Sequence, residues 1–258
     1  MRTYLITGAA SGIGAATAEL LIERGDRVIG ADLRGTDIDS DLTTPEGREH
    51  LVAEATRLSG GALDGIIAVA GLATPTPATV GVNYFGMIAS LEGLRPLLAG
   101  SDAPRAVGVG SMASLMPGDD RLVELLLADD EPGALARAAE LAASPEQGPL
   151  IYSSTKIAFA RWVRRHAADA EWAGAGIPLN AVAPGIILTP MVAPLMETEE
   201  GRAQMAQAVP MPLNGPAEAV VVARLLAWLA GPENTHLCGQ VVFVDGGSDV
   251  VIRGDATW

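Results

Sequence analysis

The sequence has one lysine, one cysteine and three histidines in 258 residues, and each scarcity removes a class of function. A lone cysteine, Cys238, excludes an intrachain disulfide. His50, His166 and His236 are scattered without ligand spacing, so no metal is expected and each reads as a surface or boundary residue. No apolar run approaches the ~20 residues needed to cross a bilayer, so a soluble chain with no membrane partner is expected. Positive charge is also in deficit: the formal net charge is -14, which argues against nucleic acid or an anionic membrane as partner. The opening MRTYLITGAA enters a strand-like run at once, without the longer apolar stretch and cleavage site of a secretory leader, which points to the cytoplasm. The other basic side chains are arginines, so any chemistry that needs an ammonium side chain must use Lys156.

What remains is an apolar, globular chain, 49% hydrophobic with mean hydropathy +0.29. Its length suits one α/β domain spanning 1–258. Apolar runs alternate with helix-length segments, the pattern of a doubly wound parallel sheet covered on both faces. Strands are expected at 4–7, 27–32, 63–70, 105–110, 178–182 and 241–244. Helices are expected at 13–24, 44–58, 79–98 and 153–173. Between 115 and 150 the rhythm breaks into an acidic, Ala- and Leu-rich segment, read as a helical insertion with short helices at 120–128 and 133–143.

Thr7-Gly-Ala-Ala-Ser-Gly-Ile-Gly14 joins the first strand to the first helix. Gly8, Gly12 and Gly14 keep side chains out of the way of a pyrophosphate, which the helix N-terminus attracts through free N–H groups and its dipole. A glycine cluster alone equally suits a structural turn; its place between strand and helix favours the phosphate site. Asp32 ends the second strand 18 residues after Gly14, where an acidic side chain binds the adenosine ribose of a dinucleotide and repels a 2′-phosphate. Arg34, two residues on, is the one feature that favours NADP. Ser111 sits at a strand's carboxyl end, where ligands of open α/β sheets bind. Tyr152 and Lys156, four residues apart, share a helix face, and a cation near a phenol favours the phenolate.

Taken together, TGAASGIG at 7–14, Asp32, Asp41-Leu42, Ala70-Gly71, Asn83, Ser111, Tyr152 with Lys156, Pro184-Gly185 and Thr189 resemble the short-chain dehydrogenase/reductase family over the whole chain. The resemblance implies a Rossmann-type fold, NAD as cofactor and a catalytic set of Ser111, Tyr152, Lys156 and Asn83. Tyr152 would be the general acid/base, and Ser111 would hydrogen-bond the substrate oxygen. Lys156 would hold the nicotinamide ribose and lower the Tyr152 pKa, while Asn83 would maintain a helix kink and a relay water. The cofactor would contact Gly8, Ser11, Gly12, Ile13, Gly14, Asp32, Asp41, Leu42, Gly71, Pro184, Gly185, Ile187 and Thr189, besides Tyr152 and Lys156. In that set Asp41 and Leu42 flank adenine, and Thr189 with the Ile187 backbone holds the carboxamide.

Two departures stand out. Ala68-Val69 replaces the asparagine-rich turn usual before Ala-Gly, and Ser111 and Tyr152 lie 41 residues apart. That spacing, with Val-Asn-Tyr-Phe-Gly at 82–86, resembles the bacterial 3α-hydroxysteroid dehydrogenase/carbonyl reductase subgroup. Ser114 is a rival to Ser111 as catalytic serine. The reaction implied interconverts a hydrophobic cyclic secondary alcohol and its ketone. A monocyclic terpene or other alicyclic alcohol is the alternative substrate, and a non-catalytic nucleotide sensor the alternative class. The insertion either covers the helix face through which ordinary members pair, leaving a homodimer through another face, or is a solvated excursion. A methionine-rich stretch, 189–213, reads either as an apolar lid over the nicotinamide or as core packing.

Overall fold

In a computed structural model of the chain, which describes residues 1–256, the strands alternate with helices from the start. β1 (Thr3–Thr7), α1 (Gly12–Glu23), β2 (Arg27–Asp32), β3 (Ile38–Asp39), α2 (Pro45–Ser59) and β4 (Gly65–Ala68) form the first half. α3 (Pro77–Val80) then runs through a π turn (Gly81–Gly86) into α4 (Met87–Leu94), a 3-10 turn (Arg95–Leu98) and β5 (Arg105–Val109). After a further 3-10 turn (Met112–Leu115) come α5 (Asp120–Leu127), α6 (Glu131–Ala142) and α7 (Leu150–His166). A short 3-10 turn (Ala173–Ala175) leads to β6 (Leu179–Pro184), β7 (Ile187–Leu188), α8 (Ala193–Met196) and α9 (Glu199–Ala208). The chain ends with β8 (Ala217–Glu218), α10 (Ala219–Leu229), β9 (Val241–Val244) and α11 (Ser248–Arg253).

Seven strands make one parallel sheet in the order β3-β2-β1-β4-β5-β6-β9, and β7 pairs with β8 beside it. The order reverses between β1 and β4, which opens a crevice at the strands' carboxyl ends. Two buried apolar clusters cover the sheet's faces. Leu122, Val123, Leu126, Ala134, Ala138 and Leu141 of the insertion belong to the larger cluster, so the insertion is a packed part of the domain and not a solvated excursion. α5 packs on α7, and α6 on α3 and α7.

Several elements differ from the sequence expectation. The expected 79–98 helix is four segments, because the π turn lies against the loop after β3: a Cβ on Gly86 would come 2.9 Å from the Leu42 Cβ. The helix bearing Tyr152 begins at Leu150 and stops at His166, and Ala173 belongs to a separate turn. The strand expected at 178–182 is shifted to Leu179–Pro184. β3 and α10 are not among the expected elements; α10 opens on Val220-Val221-Val222, a β-branched run that gives no helical period.

Candidate active site

Gly8 and Gly14 shape the phosphate end. Gly8 has φ +70, a left-handed conformation, and a Cβ there would stand 2.8 Å from the Ala70 nitrogen. A Cβ on Gly14 would strike the Gly8 carbonyl, so the helix can approach the loop only without a side chain. Thr7 fastens the loop to its neighbour, its Oγ1 accepting from the backbone N–H groups of Val69 (3.0 Å) and Ala70 (3.1 Å). That threonine anchors the turn whose asparagines are missing.

A cavity of about 410 Å³ runs from this loop along the strand ends. It is lined by Gly8, Ser11, Gly12, Ile13, Asp32, Asp41, Leu42, Gly71, Ser111, Tyr152, Lys156, Pro184, Gly185, Ile187 and Thr189, so these expected positions meet in one cleft. Gly14 and Asn83 stand behind its wall and do not line it. Ser114 is not on the wall either, which leaves Ser111 as the serine that faces Tyr152. Thr43, Leu72 and Val82 also line the cleft, with no contact there assigned from sequence, as do Met191 and Val192. The last two lie in the segment read from sequence either as a lid over the nicotinamide or as core packing.

Asp32 is fixed by its neighbours: Oδ2 accepts from the Ala10 N–H at 3.0 Å and Oδ1 from the Leu33 N–H at 2.7 Å. Each oxygen keeps a lone pair for a ligand. Arg34 is exposed and forms no ion pair among the described residues.

Asn83 is fully buried in the π turn. Its Oδ1 accepts from the Leu72 N–H at 2.7 Å, and its Nδ2 donates to the Leu72 carbonyl at 2.9 Å and to Thr155 Oγ1 at 3.3 Å. The amide therefore ties three pieces together: the π turn, the 71–72 loop and the Tyr152 helix.

Ser111 accepts from the Ala113 N–H at 3.1 Å, which leaves its own hydroxyl hydrogen for the cleft. Lys156 is 4% exposed, and its Nζ donates to the Val109 carbonyl at 3.0 Å and lies 5.6 Å from the centre of the Tyr152 ring. Burial lowers the Lys156 ammonium to about 8. Burial pushes the Tyr152 phenol above its ordinary value, and the Ser111 hydroxyl beside it pulls part of the way back. In this state the phenol is raised rather than lowered, because desolvation outweighs the hydrogen bond from Ser111.

The stretch after Thr189 lines the cleft at Met191 and Val192 and packs beneath it at Met211. Met211 is tucked beneath the cleft floor, its Sδ 3.2 Å from the Ile186 nitrogen and close against Gly185. α8 and α9 bury no residue fully, and Met191 and Leu195 are exposed.

Comparison with known proteins agrees with this geometry. The profile described as "short chain dehydrogenase" matches residues 2–123, and that described as "Enoyl-(Acyl carrier protein) reductase" matches 133–249. The chain is 33% identical to the 3-alpha-hydroxysteroid dehydrogenase/carbonyl reductase of Comamonas testosteroni, over 98% of each. It is 30% identical to the cis-4-hydroxycyclohexanecarboxylate dehydrogenase of Sinomonas cyclohexanicum, over 97% of each. It superposes on the 3-alpha-hydroxysteroid dehydrogenase of Pseudomonas sp. B-0831, solved with NADH, at TM-score 0.88 and 41% identity, covering 98% of this chain and 99% of that one. Strand order, glycine loop and the Ser111–Tyr152–Lys156 cleft have one common explanation: the chain belongs to the short-chain dehydrogenase/reductase family of oxidoreductases.

Proposed function

We infer that the protein interconverts a hydrophobic cyclic secondary alcohol and its ketone with NAD(H). The observation that carries this reading is the convergence of Ser111, Tyr152 and Lys156 at one end of a cleft whose other end presents Asp32. The residues fit a dinucleotide on their own chemistry. The glycine loop bares backbone, Asp32 offers acceptors for a ribose diol, and Lys156 keeps donors beyond its bond to Val109. Ile187 and Thr189, assigned to the carboxamide, line the cleft together with Pro184 and Gly185.

When bound, a nicotinamide cofactor would supply a hydride acceptor for the carbinol carbon, or a hydride donor for the carbonyl carbon. In the oxidation direction Ser111 donates a hydrogen bond to the substrate oxygen and Tyr152 takes the hydroxyl proton, as the carbinol C–H bond breaks and the C=O bond forms. Reduction reverses both transfers. Lys156 holds the ribose, and its charge favours the phenolate that Tyr152 passes through.

Leu72, Val82, Met191 and Val192 give the cleft an apolar wall, which suits a rigid hydrocarbon with one hydroxyl. A second reading, a single-ring alicyclic alcohol, is favoured by the name of the Sinomonas relative. Following reduction of NAD⁺ and NADP⁺ at 340 nm across cyclohexanols, cyclic terpene alcohols and 3-hydroxysteroids separates the two. Each buried CH₂ contributes about 0.8 kcal/mol, so kcat/KM is expected to climb with ring number. A flat series would favour the alicyclic reading, and no reduction of either cofactor by any of these alcohols would count against the dehydrogenase reading itself. The protein is also proposed to work as a cytoplasmic homodimer; no helix among the described residues is long and apolar enough to cross a membrane.

A further inference from the structure

The segment Asp41-Leu42-Thr43 lines the cleft yet belongs to no helix or strand, so something else must fix its height. Arg48, on the first turns of α2, takes both of its free carbonyls: Nε donates to the Leu42 oxygen at 3.0 Å and Nη2 to the Thr43 oxygen at 3.2 Å. The same guanidinium is gripped from the far side by the insertion. Nη1 donates to Glu131 Oε2 at 2.8 Å, and Nη2 is bonded to Glu131 Oε1. Its Cζ lies 5.7 Å from the centre of the Phe85 ring on the π turn, within cation–π range. The two side chains are only 11% and 23% exposed, so this bidentate pair is partly desolvated, unlike a surface ion pair of little consequence. On its other flank the loop meets the π turn, where a Cβ on Gly81 would come 3.1 Å from the Thr43 Cα.

We propose that Arg48 and Glu131 are positioning residues for the cofactor: Glu131 anchors the guanidinium that sets the 42–43 backbone against the adenine end of the cleft. This rests on the dinucleotide reading above. It gives the insertion a task in cofactor binding, since Glu131 is the first residue of α6. Arginine is required because only its planar fork reaches two carbonyls and a carboxylate together; a lysine would keep the charge and lose the geometry.

The test is isothermal titration of NADH and of ADP-ribose, which lacks the nicotinamide, into wild type and variants, with Tm measured alongside. Glu131→Gln is nearly isosteric and is expected to weaken both ligands by about three- to tenfold, and Arg48→Lys by at least as much. The exchanged pair Arg48→Glu with Glu131→Arg restores opposite charges but leaves the two carbonyls without a donor. It should recover Tm and not affinity. Unchanged Kd in both single variants, or recovery of affinity in the exchanged pair, would make the contact a structural brace and overturn the proposal. Should Arg48 variants fail to fold, Glu131→Gln decides alone. Wild type that binds neither NADH nor ADP-ribose would overturn the dinucleotide reading as well, whereas normal wild-type binding with unaffected variants overturns only this inference.

Discussion

Lys156 is buried with no carboxylate paired to it among the described residues, and that arrangement has a thermodynamic signature. Its ammonium is lowered to about 8 in the folded protein from an ordinary 10.5, so between those values the unfolded chain binds the proton more tightly. Stability of the free protein must therefore rise with pH across that window, by up to about 3 kcal/mol. Tyr4, Tyr84 and Tyr152, whose phenols burial has raised, oppose the rise above pH 10, so it is read between 8 and 10. Urea unfolding should show Cm rising there in wild type and not in Lys156→Met. Tyr152→Phe removes only the transferable proton: kcat is expected to fall by about 100-fold or more, while the Kd of NADH stays within about twofold. Retention of a tenth of the activity would argue against proton transfer by that residue. At the other end of the cleft, Asp32 should favour NAD(H) over NADP(H) by at least about tenfold in Kd, one factor of roughly 1.4 kcal/mol, and Asp32→Ala should erase most of the difference. Equal affinities in wild type would mean that Arg34 compensates the carboxylate.

Among the elements, the insertion is held by one carboxylate more than by any other polar group. Asp119 caps α5, Oδ1 accepting from the Leu122 N–H at 2.8 Å, and pairs with Arg137 of α6 through Nε at 3.0 Å and Nη2 at 2.7 Å. Arg137 holds the Asp119 carboxyl below the usual carboxylate range, so this contribution is present above the unfolded pKa and is lost as pH falls. Asp119→Ala should destabilise by about 1–2 kcal/mol in chemical unfolding and loosen α5 before the sheet in hydrogen exchange. The insertion's two helices were legible in sequence because Asp119, Asp130 and Pro132 mark their starts and the leucines their buried faces. The phosphate loop and the Tyr152–Lys156 spacing were legible for the same reason: each is a local pattern with a local cause. The π turn was not. Its register follows from Asn83 reaching Leu72 and from Gly81 and Gly86 lying against Thr43 and Leu42, contacts formed only after the chain has closed on itself. Arg48 escaped notice likewise, since its partner lies 83 residues away.

For the whole molecule, α5 and α6 pack against α7, and large apolar side chains are left exposed on other helices. Val221 and Trp228 of α10 and Val250, Val251 and Ile252 of α11 are all exposed, and no residue of the edge strand β9 is fully buried. Association through these side chains would give a dimer, and light scattering is expected to return twice the chain mass. Trp228→Glu combined with Val250→Asp should return the monomer, whereas a tetramer would show that the insertion does not restrict assembly. Because the only lysine lies inside the cleft, the exterior offers amine-directed reagents no ε-amino group. Acylating agents, aldehyde fixatives and amine-coupling resins would find only the terminal amine outside. A lysine-selective probe that enters the cleft would count active sites one for one, and a bound cofactor would protect that amine from it.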